Sequence, residues 1–252
     1  MKKHILLILL PVLIISIYNV QAQYTADTLP ANYKRNTIKW NMTPFLLWSK
    51  KNINLSYERV LTPKRSYSVN AGYFELPSTG IYDSLNIKSA NKKFGYSVSG
   101  DYRFYLKNRN INPAPDGIYW GVYSSFHHYT FTNNIEVINS PTIQGGLILD
   151  GTMNIFSVGA ELGYQFVIKE KFSIDIIFMG PSISMYNYQL ALQGDGFEID
   201  ESDDYIKGIQ DVLYGLFPGL ENLVDKKLID ESGVSTSFGA GFRYMIQLGY
   251  RF

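Results

Sequence analysis

The chain ends on Ser237–Phe252, SFGAGFRYMIQLGYRF, and the alternation in this stretch decides the fold. Every second residue from Phe238 gives Phe, Ala, Phe, Tyr, Ile, Leu, Tyr, Phe. The set from Ser237 gives Ser, Gly, Gly, Arg, Met, Gln, Gly, Arg. A period of two belongs to a strand, because successive strand side chains leave opposite faces of the sheet. One face here is unbroken and apolar while the other is small or charged. That distribution suits a transmembrane β-barrel, with lipid outside and polar groups inside.

The opposite end of the chain reads as an address. Lys2 and Lys3 precede the apolar run Ile5–Ile17, and Val20-Gln21-Ala22 supplies small residues for cleavage after Ala22, so residues 1–22 read as a signal peptide. The run is too short for a spanning helix, and no later run reaches the length that one needs. With no cysteine, neither a lipoprotein anchor, a disulfide nor a thiolate metal site is possible. Of the 23 basic residues two lie in the leader, leaving 21 against 22 acidic ones. Such a balance recruits no nucleic acid. Export, 20 Tyr, 15 Phe and no spanning helix together point to the outer membrane of a Gram-negative envelope.

Residues 23–35 read as a polar periplasmic lead-in and 36–252 as one closed, all-β, eight-stranded antiparallel barrel. The expected strands are Asn36–Trp48, Asn52–Leu61, Ser66–Leu76, Lys93–Leu106, Ile118–Thr132, Thr152–Ile168, Phe172–Tyr188 and Ser237–Phe252. Pro44 sits awkwardly in the first, since proline cannot donate to a ladder. The fifth is aromatic on both faces, which leaves its register open. Connections two, four and six are turns or turn-rich, and three, five and seven are longer, the asymmetry of periplasmic turns and extracellular loops. Residues 189–234 form the longest insertion. Within it, Tyr205–Ile229 switches to a helical period and predicts two short amphipathic helices broken near Pro218, a helical hairpin in the last extracellular loop. Its apolar faces need cover from the barrel mouth, the membrane interface or a protein partner.

The alternation sends Lys39, Arg103, Arg243 and Arg251 inward together with Glu58, Asp101, Glu161 and Asp175. An eight-stranded barrel is just wide enough for side chains to fill, so charges there must pair. A salt-bridged plug is therefore expected, with an ion or proton path as the competing reading.

The block Asn52–Leu61, NINLSYERVL, with its Pro-containing turn and Gly72-Tyr73, resembles small outer-membrane barrels of the Bacteroidetes type. The Lys39-Trp40-Asn41 strand and the terminal Tyr250-Arg251-Phe252 are similar to that group as well. This is a domain family of unknown function with an OmpA/OmpX-like layout, and the resemblance implies a barrel with no established activity and no transferable catalytic residue. Phe252 resembles the end signal read by the barrel assembly machinery.

Catalytic chemistry has one weak alternative. His128, Thr130 and Glu136 supply the parts of an esterase like the outer-membrane lipid A deacylases, although Thr stands at the nucleophile and the His-x-Ser-Asn pattern is absent. His127 and His128 leave opposite faces of a strand and cannot share a metal. The acidic run Gln193–Asp204 lacks EF-hand spacing. Neither metal nor cofactor is expected. Outer-membrane lipid, lipopolysaccharide and a partner at the Tyr205–Ile229 hairpin are the expected contacts of a structural or surface-interaction barrel without a wide pore. A small-solute transporter or channel is a further alternative.

Overall fold

A computed structural model describes residues 28–75, 86–106, 109–136, 146–193 and 234–252. The expected signal peptide, the expected lead-in up to residue 27 and the expected hairpin therefore lie outside the described residues. The elements are β1 (Asn36–Asn41), α1 (Thr43–Leu47), β2 (Ile53–Thr62), β3 (Arg65–Tyr73), β4 (Asn86–Tyr105), β5 (Gly117–Glu136) and β6 (Gly146–Ile168). Two further strands are each interrupted once: β7 (Phe172–Met179, then Pro181–Gln193) and β8 (Val234–Phe242, then Met245–Arg251).

Each strand pairs antiparallel with its sequence neighbour, and β1 pairs with the inner part of β8, so the sheet closes on itself. Among the described residues this is an all-β, eight-stranded closed barrel. Following partners from Gln247 through Asn41, Asn54, Gly72, Ser97, His127, Ile155 and Tyr186 returns to β8 at Ser237. The row thus comes back displaced by 247 − 237 = 10 residues. A displacement of that kind requires tilted strands, as closure of any barrel does.

The alternation of Ser237–Phe252 holds through the whole of the part whose side chains are described. Phe238, Ala240, Phe242, Tyr244, Ile246, Leu248, Tyr250 and Phe252 are exposed, and the residues between them face the interior. The fifth strand, unreadable by pattern, turns Tyr119, Tyr123, His127, Tyr129 and Phe131 inward and Trp120, Val122, Phe126 and His128 outward.

Three details depart from the sequence reading. The first strand stops at Asn41 and not at Trp48, because Pro44 enters the first turn of α1, where a missing N–H costs nothing. Asn41 Oδ1 accepts from Thr43 N (3.1 Å) at the changeover. Strands β4, β5 and β6 run further than expected into the long connections. Strand β7 carries an extra residue: Phe178 and Met179 both face outward, and the inner set passes from Ser173, Asp175 and Ile177 to Ser182 and Ser184. Such an insertion is a β-bulge, and it re-aims everything beyond it.

The Lys169–Lys171 turn is tight, and Lys169 and Glu170 both take positive φ (50° and 59°). Two successive left-handed residues form the turn that matches strand twist, and Asn-Gly serves it best. Lys169→Asn combined with Glu170→Gly should raise stability by about 1 kcal/mol. A higher urea midpoint without loss of the strand signature in circular dichroism is the expected readout; a lower midpoint would mean that the native side chains offset their strain.

Candidate functional site

The interior of the barrel is polar where a soluble fold would be apolar. Because β-strand side chains repeat every two residues, Asp101, Arg103 and Tyr105 of β4 point the same way, into the lumen. Arg103, fully buried, is the hub. Its Nη1 lies 2.6 Å from Asp175 Oδ2 and 3.6 Å from Glu58 Oε1, its Nε 3.2 Å from Glu161 Oε1, and its Nη2 3.7 Å from Asp101 Oδ2. The guanidinium also rests over the Tyr119 ring, 4.6 Å from its centroid. Planar and forked, a guanidinium suits several carboxylates at once in a way that an ammonium does not.

Lys39 of β1 caps one side of this hub, with Nζ 2.7 Å from Glu58 Oε2, 2.6 Å from Asp175 Oδ2 and 3.1 Å from Gln165 Oε1. Arg243 of β8 caps the other, with Nη1 2.5 Å from Asp101 Oδ1 and 3.5 Å from Glu161 Oε2. Neutral groups hydrogen-bond three of the four carboxylates. Ser66 Oγ and Tyr105 Oη donate to Glu58 (2.6 and 3.1 Å), Tyr119 Oη to Asp175 (2.6 Å) and Asn70 Nδ2 to Asp101 (2.9 Å). Gln247 Nε2 donates in turn to Asn70 Oδ1 (3.2 Å). Every strand of the barrel supplies at least one member.

Seven of the eight interior charges named from the sequence meet in this cluster. Arg251 does not join them. Although buried, it sits at the end of the barrel, where Nη2 donates to Lys34 O (2.8 Å) and the guanidinium lies over Tyr33. Arg251 is eight residues beyond Arg243 on the same strand, too far along for Asp101 and Glu161, and it stands level with Thr37. The neutral partners Ser66, Asn70, Tyr105, Tyr119, Gln165 and Gln247 were not singled out by sequence. Gln247 belongs to the polar face of the terminal alternation, whereas Tyr119 is hidden by the ambiguous fifth strand.

The histidines behave differently from one another. His127 faces inward, its ring parallel to Tyr129 and edge-on to Phe74. His128 faces outward, with Nδ1 2.7 Å from Asn154 Oδ1 and its ring beside Tyr96. Thr130 shares that outward face, but its Oγ1 donates to Phe94 O (3.4 Å). The side chain of Glu136 lies outside the described residues. No group of three or more His, Asp or Glu that could hold a metal occurs among the described residues. Phe252 closes the ring: its N donates to Asn36 O (2.9 Å), and Asn36 N donates to Phe252 O (3.2 Å).

Residues 8–206 match the family described as Protein of unknown function (DUF3575), and the chain belongs to that family. Comparison with the curated proteins gives no match. Among solved structures the chain is similar to the N-terminal beta-barrel domain of Pseudomonas aeruginosa OprF. The identity is 14%, the match covers 87% of this chain and 98% of that one, and the TM-score is 0.32.

Removing the hub leaves four carboxylates buried with fewer cations, a change that costs roughly 3–5 kcal/mol at buried ion pairs. Arg103→Met should therefore lower the unfolding free energy by about that amount. Arg251→Met, which strands only a carbonyl acceptor, should cost about 1–2 kcal/mol. Urea unfolding followed by tryptophan fluorescence checks both, and equal losses would deny Arg103 its place at the centre.

Proposed function

We propose that this member of a family of unknown function is an outer-membrane β-barrel, exported with cleavage after Ala22, whose role at the cell surface is structural or interactive. The observation that carries the reading is inverted polarity. The outer wall carries exposed apolar side chains, among them Ile183 (74% exposed), Phe238 (66%) and Phe242 (63%), while Lys39, Glu58, Asp101, Arg103, Glu161 and Asp175 are buried inside. Each such side chain left in water forgoes roughly 1.5–3 kcal/mol. Repeated round the barrel, the loss is out of proportion to the 5–15 kcal/mol of net stability usual for a folded protein. A hydrocarbon surround removes it. Aromatic residues such as Tyr102, Phe104, Trp120, Tyr164 and Tyr250 fall toward the turn end of that wall, the place of an interfacial belt.

The packed charge cluster supports a barrel without a wide pore, and it weighs against the channel alternative. The lipid A deacylase-like alternative loses support, because the hydroxyl of Thr130 is directed to Phe94 O and not to His128. Lipid and lipopolysaccharide are the natural surroundings of the outer wall. A protein partner at Tyr205–Ile229 stays part of the proposal on the length and helical period of that insertion.

Purified protein in planar bilayers should show no stable single-channel current, and cell fractionation should place it with outer-membrane markers; a soluble periplasmic fraction would overturn the assignment. Phe252→Ala keeps the backbone pair with Asn36 while deleting the terminal ring. It should reduce the amount of barrel inserted in cells and leave the urea midpoint of inserted barrel within about 1 kcal/mol of the parent. A midpoint that falls in step with the yield would make Phe252 a stabilising contact instead of an assembly signal.

A further inference from the structure

The outer wall changes character at the end where the tight turns lie. Arg59 of β2 and Arg65 of β3 are exposed there, on the face that elsewhere shows Ile38, Leu55, Val69 and Val98. Arg59 stands opposite Tyr67, and Arg65 is two places further along β3, so the two guanidiniums start from diagonal positions on one face. Diagonal neighbours are roughly 7–8 Å apart, within mutual reach of long side chains. Arg65 also rests over the Phe104 ring, 5.8 Å from its centroid, and Phe104 stacks on Trp120 at 4.4 Å. That contact holds the guanidinium at the level of the aromatic wall and not below it.

Among the described side chains of β1–β4 the outward face holds no carboxylate, since Glu58 and Asp101 both turn inward. The rim beneath is basic as well. Lys34, Arg35, Lys169 and Lys171 stand there, and outside the lumen the described acidic residues of that end are Asp116 and Glu170. Val60 N donates to Arg35 O (2.8 Å), Arg251 N to Lys171 O (2.7 Å) and Arg251 Nη2 to Lys34 O (2.8 Å), so the barrel fixes the backbone that carries these charges. A cation on a lipid-facing wall is costly at the mid-plane and nearly free at the interface, where it meets phosphate.

We propose that Arg59 and Arg65 form a headgroup site for an anionic phospholipid of the phosphatidylglycerol type. The forked guanidiniums donate to the oxygens of its phosphate, and the basic rim concentrates negative headgroups around them. Phosphatidylethanolamine fits less well, because its own ammonium finds no carboxylate on that face. Short turns mark the periplasmic side of such a barrel, which sets the site in the phospholipid leaflet and away from lipopolysaccharide. The inference rests on the membrane placement proposed above.

The test uses the full chain with Trp40→Phe and Trp48→Phe, which leaves Trp120, beside Phe104, as the one tryptophan. In phosphatidylcholine vesicles, its quenching is followed as brominated phosphatidylglycerol or brominated phosphatidylethanolamine replaces part of the lipid. Binding constants from the two series should favour phosphatidylglycerol about fivefold. Arg59→Gln with Arg65→Gln should remove the preference, and Arg59→Lys with Arg65→Lys, which keeps the charge, should retain most of it. Should the glutamine variant not fold, about 1 M salt on the unaltered arginines serves the same purpose, since screening then acts over about 3 Å. Equal quenching by both lipids, or a preference that survives undiminished in the glutamine variant or in salt, overturns the site while leaving the barrel in the membrane. Millimolar inorganic phosphate, matched against chloride for ionic strength, should leave the preference unchanged; its loss would mean a site for the free anion and overturn the lipid. If no brominated lipid quenches Trp120, the membrane placement falls as well.

Discussion

Burying charge is the constraint on which the rest of this structure depends. A guanidinium or carboxylate withdrawn from water costs several kcal/mol after relaxation, and only close, hydrogen-bonded opposite charges repay it. Arg103 hydrogen-bonds Asp175 and stands 3.2–3.7 Å from Glu58, Asp101 and Glu161, so one position serves four carboxylates. The carboxylates come from β2, β4, β6 and β7, so the hub can be satisfied only when those strands stand round it in register. A slip of one residue in any strand would turn its contribution outward. The cluster thus specifies register as well as filling space.

Much of this was legible in the sequence, because the two relevant signals are periodic. Alternation separates inner from outer residues without any knowledge of neighbours, which is why Lys39, Glu58, Asp101, Arg103, Glu161, Asp175 and Arg243 could be assigned to the lumen. Three things were not legible. In β5 both faces carry aromatics, and only pairing with β4 and β6 decides which set turns inward. At β7 the extra residue near Gly180 breaks the period, and nothing in FMGPS announces where the inner set resumes. The third is depth: alternation says that Arg251 points inward but not how far along the axis it lies from the carboxylates, since depth depends on the shear of the closed sheet.

The early end of β1 illustrates a further limit. Ile38, Trp40, Met42, Pro44 and Leu46 keep the period of a strand, yet the chain turns helical after Asn41. A two-residue period is necessary for a half-buried strand but not sufficient for one. Pro44 was the local sign, since its missing N–H is tolerated in the first turn of a helix and disfavoured within a ladder. The result is a barrel whose two halves differ: one packed with long charged side chains, the other holding Phe74, His127, Tyr129 and Met153 beside serine and glycine, with a single helical turn where the first strand would continue.

The mutual hydrogen bonds of Asn36 and Phe252 have a consequence for the history of the molecule. They join the first and last residues of the barrel, the pair with the longest loop between them, and the entropy of closing a loop grows with its length. Contacts of such range form late and slow the folding of sheets that depend on them. Until they form, β1 has one neighbour, and Lys39 holds its charge beside a lumen still open to water. Sealing the ring and drying the charges are therefore one event.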